Sequence, residues 1–164
     1  VDQVADTIRK EGFQNYLVEI GGEVFASGTS KNGKFWRIGI NRPQTDAAFD
    51  DVYKVVDLHN KAFATSGDYR NFFVVDGVRY SHIIDPRTGY PISNGVVSVT
   101  IIADTCTFAD GLATAIMVMS PGKGLDLINR LDEVEGMIVV EREGGQLDDL
   151  YSSGFKVLNS HLVE

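Results

Sequence analysis

The chain has 164 residues, 43% of them hydrophobic and 23% charged, which is enough for one globular domain with a core and too short for two. No apolar run approaches the length of a membrane span. Lys+Arg 15 against Asp+Glu 23 give a net charge of -8, and the basic residues are scattered, which argues against a nucleic-acid binder with its concentrated positive surface. A phosphorylated ligand would therefore need a metal cation or a focused positive patch to meet it. Cys106 is the single cysteine, so no intrachain disulfide and no thiolate metal cluster can form, and the compartment stays open.

Val1, Val4, Ala5 and Ile8 recur at helical spacing opposite Asp2, Asp6, Arg9 and Lys10, and Gly12 stands where a helix would end. The chain opens inside that amphipathic helix, with neither an initiator methionine nor a signal peptide, so the start is expected to be a cut. From Asn15 to Ile40 the pattern shortens to strands. Tyr16 to Ile20, a Gly21-Gly22 turn, Val24 to Ala26 and Phe35 to Ile40 read as an antiparallel meander. Asn41 to Asp51 reads as a loop, Val52 to Ala64 as extended chain, and Thr65 to Asp68 as the turn that closes it.

Asn71 to Val75, Asp76-Gly77 and Val78 to Tyr80 form the clearest hairpin, because Asp-Gly accepts the positive φ angles of a type I′ turn. Val96 to Ile102 is a further strand. Over Thr105 to Met119 the period changes, with Phe108, Leu112, Ala115, Ile116 and Met119 on one face and Thr105 or Thr107 available as N-cap. Ser120-Pro121-Gly122 stops this helix, and Leu125, Ile128 and Leu131 suggest another. Gly136 to Val140 and Phe155 to Leu158 look like closing strands around a Gly144-Gly145 turn. No internal repeat or low-complexity tract is visible. Antiparallel hairpins with helices between the groups make the fold class α+β, a single domain over 1–164.

Two stretches carry chemistry. The strand leading to Ile83 breaks at Asp85-Pro86, where proline removes a donor and extends the residue before it. That places His82 and Asp85 at a strand end, a position where a rigid sheet holds a group within reach of ligand. Arg87 adds a positive fork and Gly89 a point of close backbone approach, so an anion is the natural guest. The plainer alternative is an ordinary turn with a surface histidine. With an ordinary pKa near 6.5, His82 suits general-base work, whereas His59 and His161 read as surface or core residues.

In the second stretch, Asp110 and Thr114 are four apart on a helix and so lie on one face, both offering oxygen. Mg²⁺ prefers oxygen ligands and takes one or two protein carboxylates, completing its shell with water and substrate phosphates. Alternatively, Asp110 serves the helix dipole and Thr114 bonds back to a carbonyl. Gly21-Gly22 and Thr65 to Asp68 are either plain turns or backbone nests for an anion.

Gly21-Gly22-Glu23, Ala64 to Tyr69, His82 to Pro91 and Ala109 to Ala115 stand in the order and spacing of the ApbE family, the FAD:protein FMN transferases. On these motifs the sequence resembles that family from Val1 to about Leu158, covering the C-terminal part of a typical member. Members carry an upstream half ending in an Asp-Leu-Gly-Ala-Ile-Ala-Lys-Gly-like segment with flavin contacts, a lysine and a main-chain metal ligand.

The resemblance implies an ApbE-like, T-fold-related fold truncated at its N-terminus, with dimerisation or strand exchange expected to cover the exposed edges. It implies Mg²⁺-dependent transfer of FMN from FAD to a Thr or Ser hydroxyl on a flavoprotein subunit of a redox-driven pump, with release of AMP. Asp110 and Thr114 resemble side-chain metal ligands, with the Ala113 carbonyl beside them, and His82 resembles the base. Ile84 resembles a main-chain contact to FAD, joined on the flavin side by Asp85, Gly22 and Thr65. Members are typically lipoproteins at the periplasmic face of the bacterial inner membrane. Two other readings stand beside the transferase: a Mg²⁺-dependent FAD pyrophosphatase, and an inactive or flavin-binding fragment.

Overall fold

The structure, a computed structural model, describes residues 1–48, 51–69 and 71–158, and only the backbone of Val78 and Arg79. In chain order the elements are α1 (Asp2–Lys10), β1 (Tyr16–Ile20), β2 (Glu23–Ser27), β3 (Trp36–Asn41), β4 (Val52–Leu58) and β5 (Lys61–Gly67). There follow β6 (Phe72–Val75), β7 (Val78–Ser81), β8 (Ile84–Asp85), β9 (Tyr90–Pro91), β10 (Val96–Ala103), α2 (Cys106–Met117), α3 (Pro121–Ile128), β11 (Glu135–Glu141) and β12 (Leu147–Tyr151). This is an α+β fold. Its centre is a six-stranded antiparallel sheet in the order β1-β2-β5-β10-β11-β12.

Side chains alternate across the pleat, so the sheet feeds a core on each face, and a smaller third cluster joins Ala5 of α1 to Tyr16 and Val18 of β1. One core joins Ala64, Val99, Ile101 and Ile138 of the sheet to Ala109, Ala113, Ile116 and Met117 of α2 and to Ile128 of α3. The other joins Val24, Phe63, Met137 and Val139 to Ile38, Ile40, Val56 and Leu58 of the β3–β4 ribbon. The result is three layers: helices, sheet, ribbon. Ile116, Met117 and Ile128 are wholly buried, and burying a side chain of this size contributes about 1.5–3 kcal/mol.

Local chemistry explains the element ends. The Gly21 and Gly22 φ angles of 74° and 107° close the β1–β2 hairpin. Asp76 at φ 51° and Gly77 at 77° form the turn expected between β6 and β7. Thr105 caps α2 by accepting a hydrogen bond from the Phe108 N–H at 3.3 Å. The Asp2 carboxylate assists from α1, accepting from the Cys106 N–H at 2.8 Å, the Thr107 N–H at 2.9 Å and the Thr107 hydroxyl at 2.6 Å. Burial opposes the charge on Asp2, but these donors outweigh it and hold its carboxyl below the ordinary value. Cys106 itself is buried and donates to the Val24 carbonyl at 3.1 Å, and burial pushes its thiol up to about 11.

The expected meander is corrected beyond its first hairpin. Strand β3 leaves the sheet and pairs with β4 as a separate ribbon, while β2 pairs with β5. Strand β5 runs through Thr65 and Ser66 to Gly67, so these residues lie in the sheet and not in a closing turn. The last strand of the sheet is Leu147–Tyr151, and Leu158 makes only a single bridge to Val55. Of the loop expected over residues 41–51, Phe49 and Asp50 lie outside the described residues, as does His161.

The ribbon is clamped to the sheet at Asp149. Its carboxylate accepts from the Tyr53 hydroxyl at 2.7 Å and the Tyr151 hydroxyl at 2.8 Å, and it pairs with Lys54 at 2.8 Å. Lys54 and Arg42 lie 4.5 Å and 5.0 Å from the centre of the Tyr53 ring, both within cation–π range.

Candidate functional site

Strand β5 places two hydroxyls back to back. Thr65 pairs with Thr100, and the two side-chain oxygens meet at 2.9 Å. Thr100 also pairs with Met137, so this contact lies on the ribbon face of the sheet. Ser66 turns the other way, as the alternation through Ala62 and Ala64 requires, and its Oγ lies 2.9 Å from Thr114 Oγ1 on α2. Thr65 therefore faces away from the helix that carries Asp110 and Thr114. Sequence reasoning missed Ser66, although continuing the period of two past Ala64 would have found it.

Asp110 and Thr114 stand one helical turn apart on α2, both exposed. Among the described residues nothing donates to or pairs with the Asp110 carboxylate. Ala113, between them, is buried against the sheet. No three His, Cys, Asp or Glu side chains gather to hold a metal among the described residues. A lone carboxylate with a neighbouring hydroxyl is an all-oxygen set, which fits the sparse protein ligation of Mg²⁺ and not the nitrogen and sulfur ligands of zinc. The donors fit the cation.

Gly22 joins this end of the sheet. The β2–β5 ladder ends at the Val24–Phe63 pair, so Gly22, in the turn that precedes β2, stands just beyond the end of that ladder.

His82 lies between two ribbons, after β7 and before the short β8–β9 pair. Its Nδ1 is 2.7 Å from the Asn71 carbonyl oxygen. A carbonyl only accepts, so Nδ1 carries a proton, and in the neutral imidazole the lone pair is on Nε2. The side chain is exposed while Ser81 before it is buried and Ile83 after it packs against the helix-side core. An anchored backbone thus presents a free basic nitrogen. By contrast His59 is a surface residue, stacked on Phe35 at 4.6 Å with Nδ1 on the Gly28 carbonyl.

Ile84 is exposed and pairs with Pro91, and Asp85 pairs with Tyr90. Arg87 is not the open anion fork expected. Its Nε lies 2.9 Å from Asp85 Oδ1 and its Nη2 2.7 Å from Asp85 Oδ2, and Nη2 also donates to the Val118 carbonyl at 3.0 Å. The hydrogen bonds from the Arg87 side chain bring the Asp85 carboxyl down to about 2. Together with Asn94, which donates to the Met117 and Met119 carbonyls, Arg87 satisfies orphan carbonyls at the end of α2. The motif from Asp85 to Tyr90 is thereby fastened to the helix bearing Asp110 and Thr114. No contact joins His82 to these two residues directly among the described residues.

The structure thus holds two candidate elements, an oxygen-bearing face on α2 at Asp110 and Thr114 and an exposed strand-end histidine at His82. The ApbE family model matches residues 1–138. The chain is 46% identical over 156 residues to a FAD:protein FMN transferase of Vibrio cholerae, spanning 95% of this chain and 46% of that protein. It is 40% identical over 158 residues to one of Haemophilus influenzae, spanning 96% and 45%. The solved flavin transferase ApbE from Vibrio cholerae superposes with a TM-score of 0.80 at 44% identity, covering 94% of this chain and 48% of that one. This chain belongs to the ApbE family. It spans about half the length of the curated relatives it matches.

Proposed function

We propose that this chain serves the Mg²⁺-dependent transfer of FMN from FAD to a Thr or Ser hydroxyl of an acceptor flavoprotein. The observation that carries the reading is His82, whose Nδ1 is committed to the Asn71 carbonyl and whose Nε2 is free to accept a proton. In the reaction Nε2 takes the proton of the acceptor hydroxyl as its oxygen bonds the FMN phosphorus. The bond from that phosphorus to the bridging oxygen breaks, and AMP leaves with the electron pair. Asp110 and Thr114, with the Ala113 carbonyl proposed beside them, would hold Mg²⁺, which when bound neutralises charge on the pyrophosphate. Gly22, Thr65, Ile84 and Asp85 are assigned to the flavin side, the last three through main chain, because the Thr65 hydroxyl is held by Thr100 on the ribbon face and the Asp85 carboxylate is taken by Arg87. The relatives named FAD:protein FMN transferase support the same reading. As the resemblance of the sequence motifs implies, we further propose an acceptor in a redox-driven pump and a reaction at the periplasmic face of the bacterial inner membrane.

Because His82 is exposed, water can reach Nε2 as readily as a protein hydroxyl can, which favours FAD hydrolysis to FMN and AMP as the second reading. Isothermal titration of FAD with and without Mg²⁺ tests the site. Binding should require Mg²⁺ and disappear in Asp110→Ala, and Mg²⁺-independent binding or none would overturn the assignment. AMP release should fall about 10²- to 10⁴-fold in His82→Gln. FMN recovered on protein marks transfer, and FMN recovered in solution marks hydrolysis.

A further inference from the structure

The Ser66–Thr114 contact joins two hydroxyls 2.9 Å apart, so one donates its proton and the other accepts it. A hydroxyl that offers a lone pair to a cation must send its proton elsewhere, because the cation repels it. In a helix the usual acceptor is the carbonyl one turn back. Thr7 in α1 does this, donating to the Gln3 carbonyl at 2.9 Å. Thr114 on α2 meets the hydroxyl of Ser66 on strand β5 instead.

The sheet is built to allow that contact. On the α2 face of β5 the residues before Ser66 are Ala62 and Ala64, both fully buried, and these short side chains let the helix come close. Thr65 cannot substitute, since its hydroxyl is on the other face with Thr100.

We propose that Ser66 is a positioning residue for the cation site, its Oγ accepting the Thr114 hydroxyl proton and thereby turning the Thr114 lone pairs toward the side of Asp110. The proposal rests on the reading of Asp110 and Thr114 as cation ligands. Partners that orient a ligand in this way typically change metal affinity 10- to 100-fold when removed.

The test titrates Mn²⁺ into the chain without flavin and follows free Mn²⁺ by electron paramagnetic resonance. Ser66→Ala should weaken Mn²⁺ binding about 10- to 100-fold, and Ser66→Thr, which keeps the hydroxyl, should restore it. In a Thr114→Val background Ser66→Ala should add no further loss, because its route through Thr114 is already gone. Equal binding by the wild type and Ser66→Ala, or an undiminished loss in the Thr114→Val background, would overturn the role of Ser66 while leaving the cation site standing. If the wild type itself binds no Mn²⁺, or if Asp110→Ala binds it equally well, the reading of the site falls and the proposal with it.

Discussion

Replacing Asp149 by alanine removes the acceptor that two tyrosines and a lysine share at the junction of ribbon and sheet. The Asp149 side chain is 13% exposed and that of Lys54 25%, so solvent replaces the lost contacts only in part. At about 1 kcal/mol for each of three charge-assisted contacts, the loss is about 3 kcal/mol. With a urea m-value of about 2 kcal/mol/M this lowers the unfolding midpoint by about 1.5 M. The clamp also sets an alkaline limit. Burial first, and then the hydrogen bond to Asp149, push the Tyr53 hydroxyl up to about 12, and the same two causes raise that of Tyr151. A group whose pKa is raised by folding contributes stability that is complete below its unfolded value near 10 and is lost as pH climbs through the folded value. The urea midpoint of the wild type should therefore fall between about pH 10 and pH 12, and Asp149→Ala should flatten that slope. A midpoint loss under 0.5 M at neutral pH, on the order of what a surface pair gives, would refute the clamp.

At the acid end, Asp2 and Asp85 both titrate below their ordinary value of 3.8, Asp85 at about 2. Their contribution is complete above about pH 4 and lost as pH falls toward 2, and circular dichroism should show Asp2→Asn losing less stability than the wild type across that window. Gly124→Ala places a methyl 2.7 Å from Ile116 Cγ2 and 3.1 Å from Ile138 Cδ1. Overpacking there should outweigh the better helix propensity of alanine and destabilise by about 1–2 kcal/mol in urea. The Ser98 hydroxyl is buried with no partner among the described residues, so Ser98→Ala should be neutral or stabilising by up to about 1 kcal/mol, and a clear destabilisation would reveal a partner.

Local chemistry was legible in the sequence wherever a residue acts within a few positions of itself. A cap at Thr105 or Thr107, the Asp76-Gly77 turn and the i, i+4 placing of Asp110 and Thr114 on one helix all follow from spacing, and the structure settles the cap on Thr105. Pairing over distance was not legible. Gly28 to Phe35 separates β2 from β3 by a loop too long to dictate a hairpin, and β2 instead takes β5 as its neighbour. Thr65 and Ser66 read as turn formers because hydropathy ends at Ala64, yet ladder bonds to β10 carry the strand on to Gly67. Asp148 and Asp149 weakened the strand signal of β12 for the same reason. Arg87 was legible as a fork, while its partner two residues back was overlooked, though a short side chain at Asp85 readily bonds the backbone of Arg87.

The Asp2 carboxylate makes the docking of α1 audible at a distance. The amides of Cys106 and Thr107, at the head of the helix bearing Asp110, give their protons to a side chain more than a hundred positions earlier. Their hydrogen exchange is thus gated by detachment of α1 and not by fraying of α2. Two resonances in a native-state exchange spectrum then gauge how firmly the first helix is seated, read out at the threshold of the candidate site.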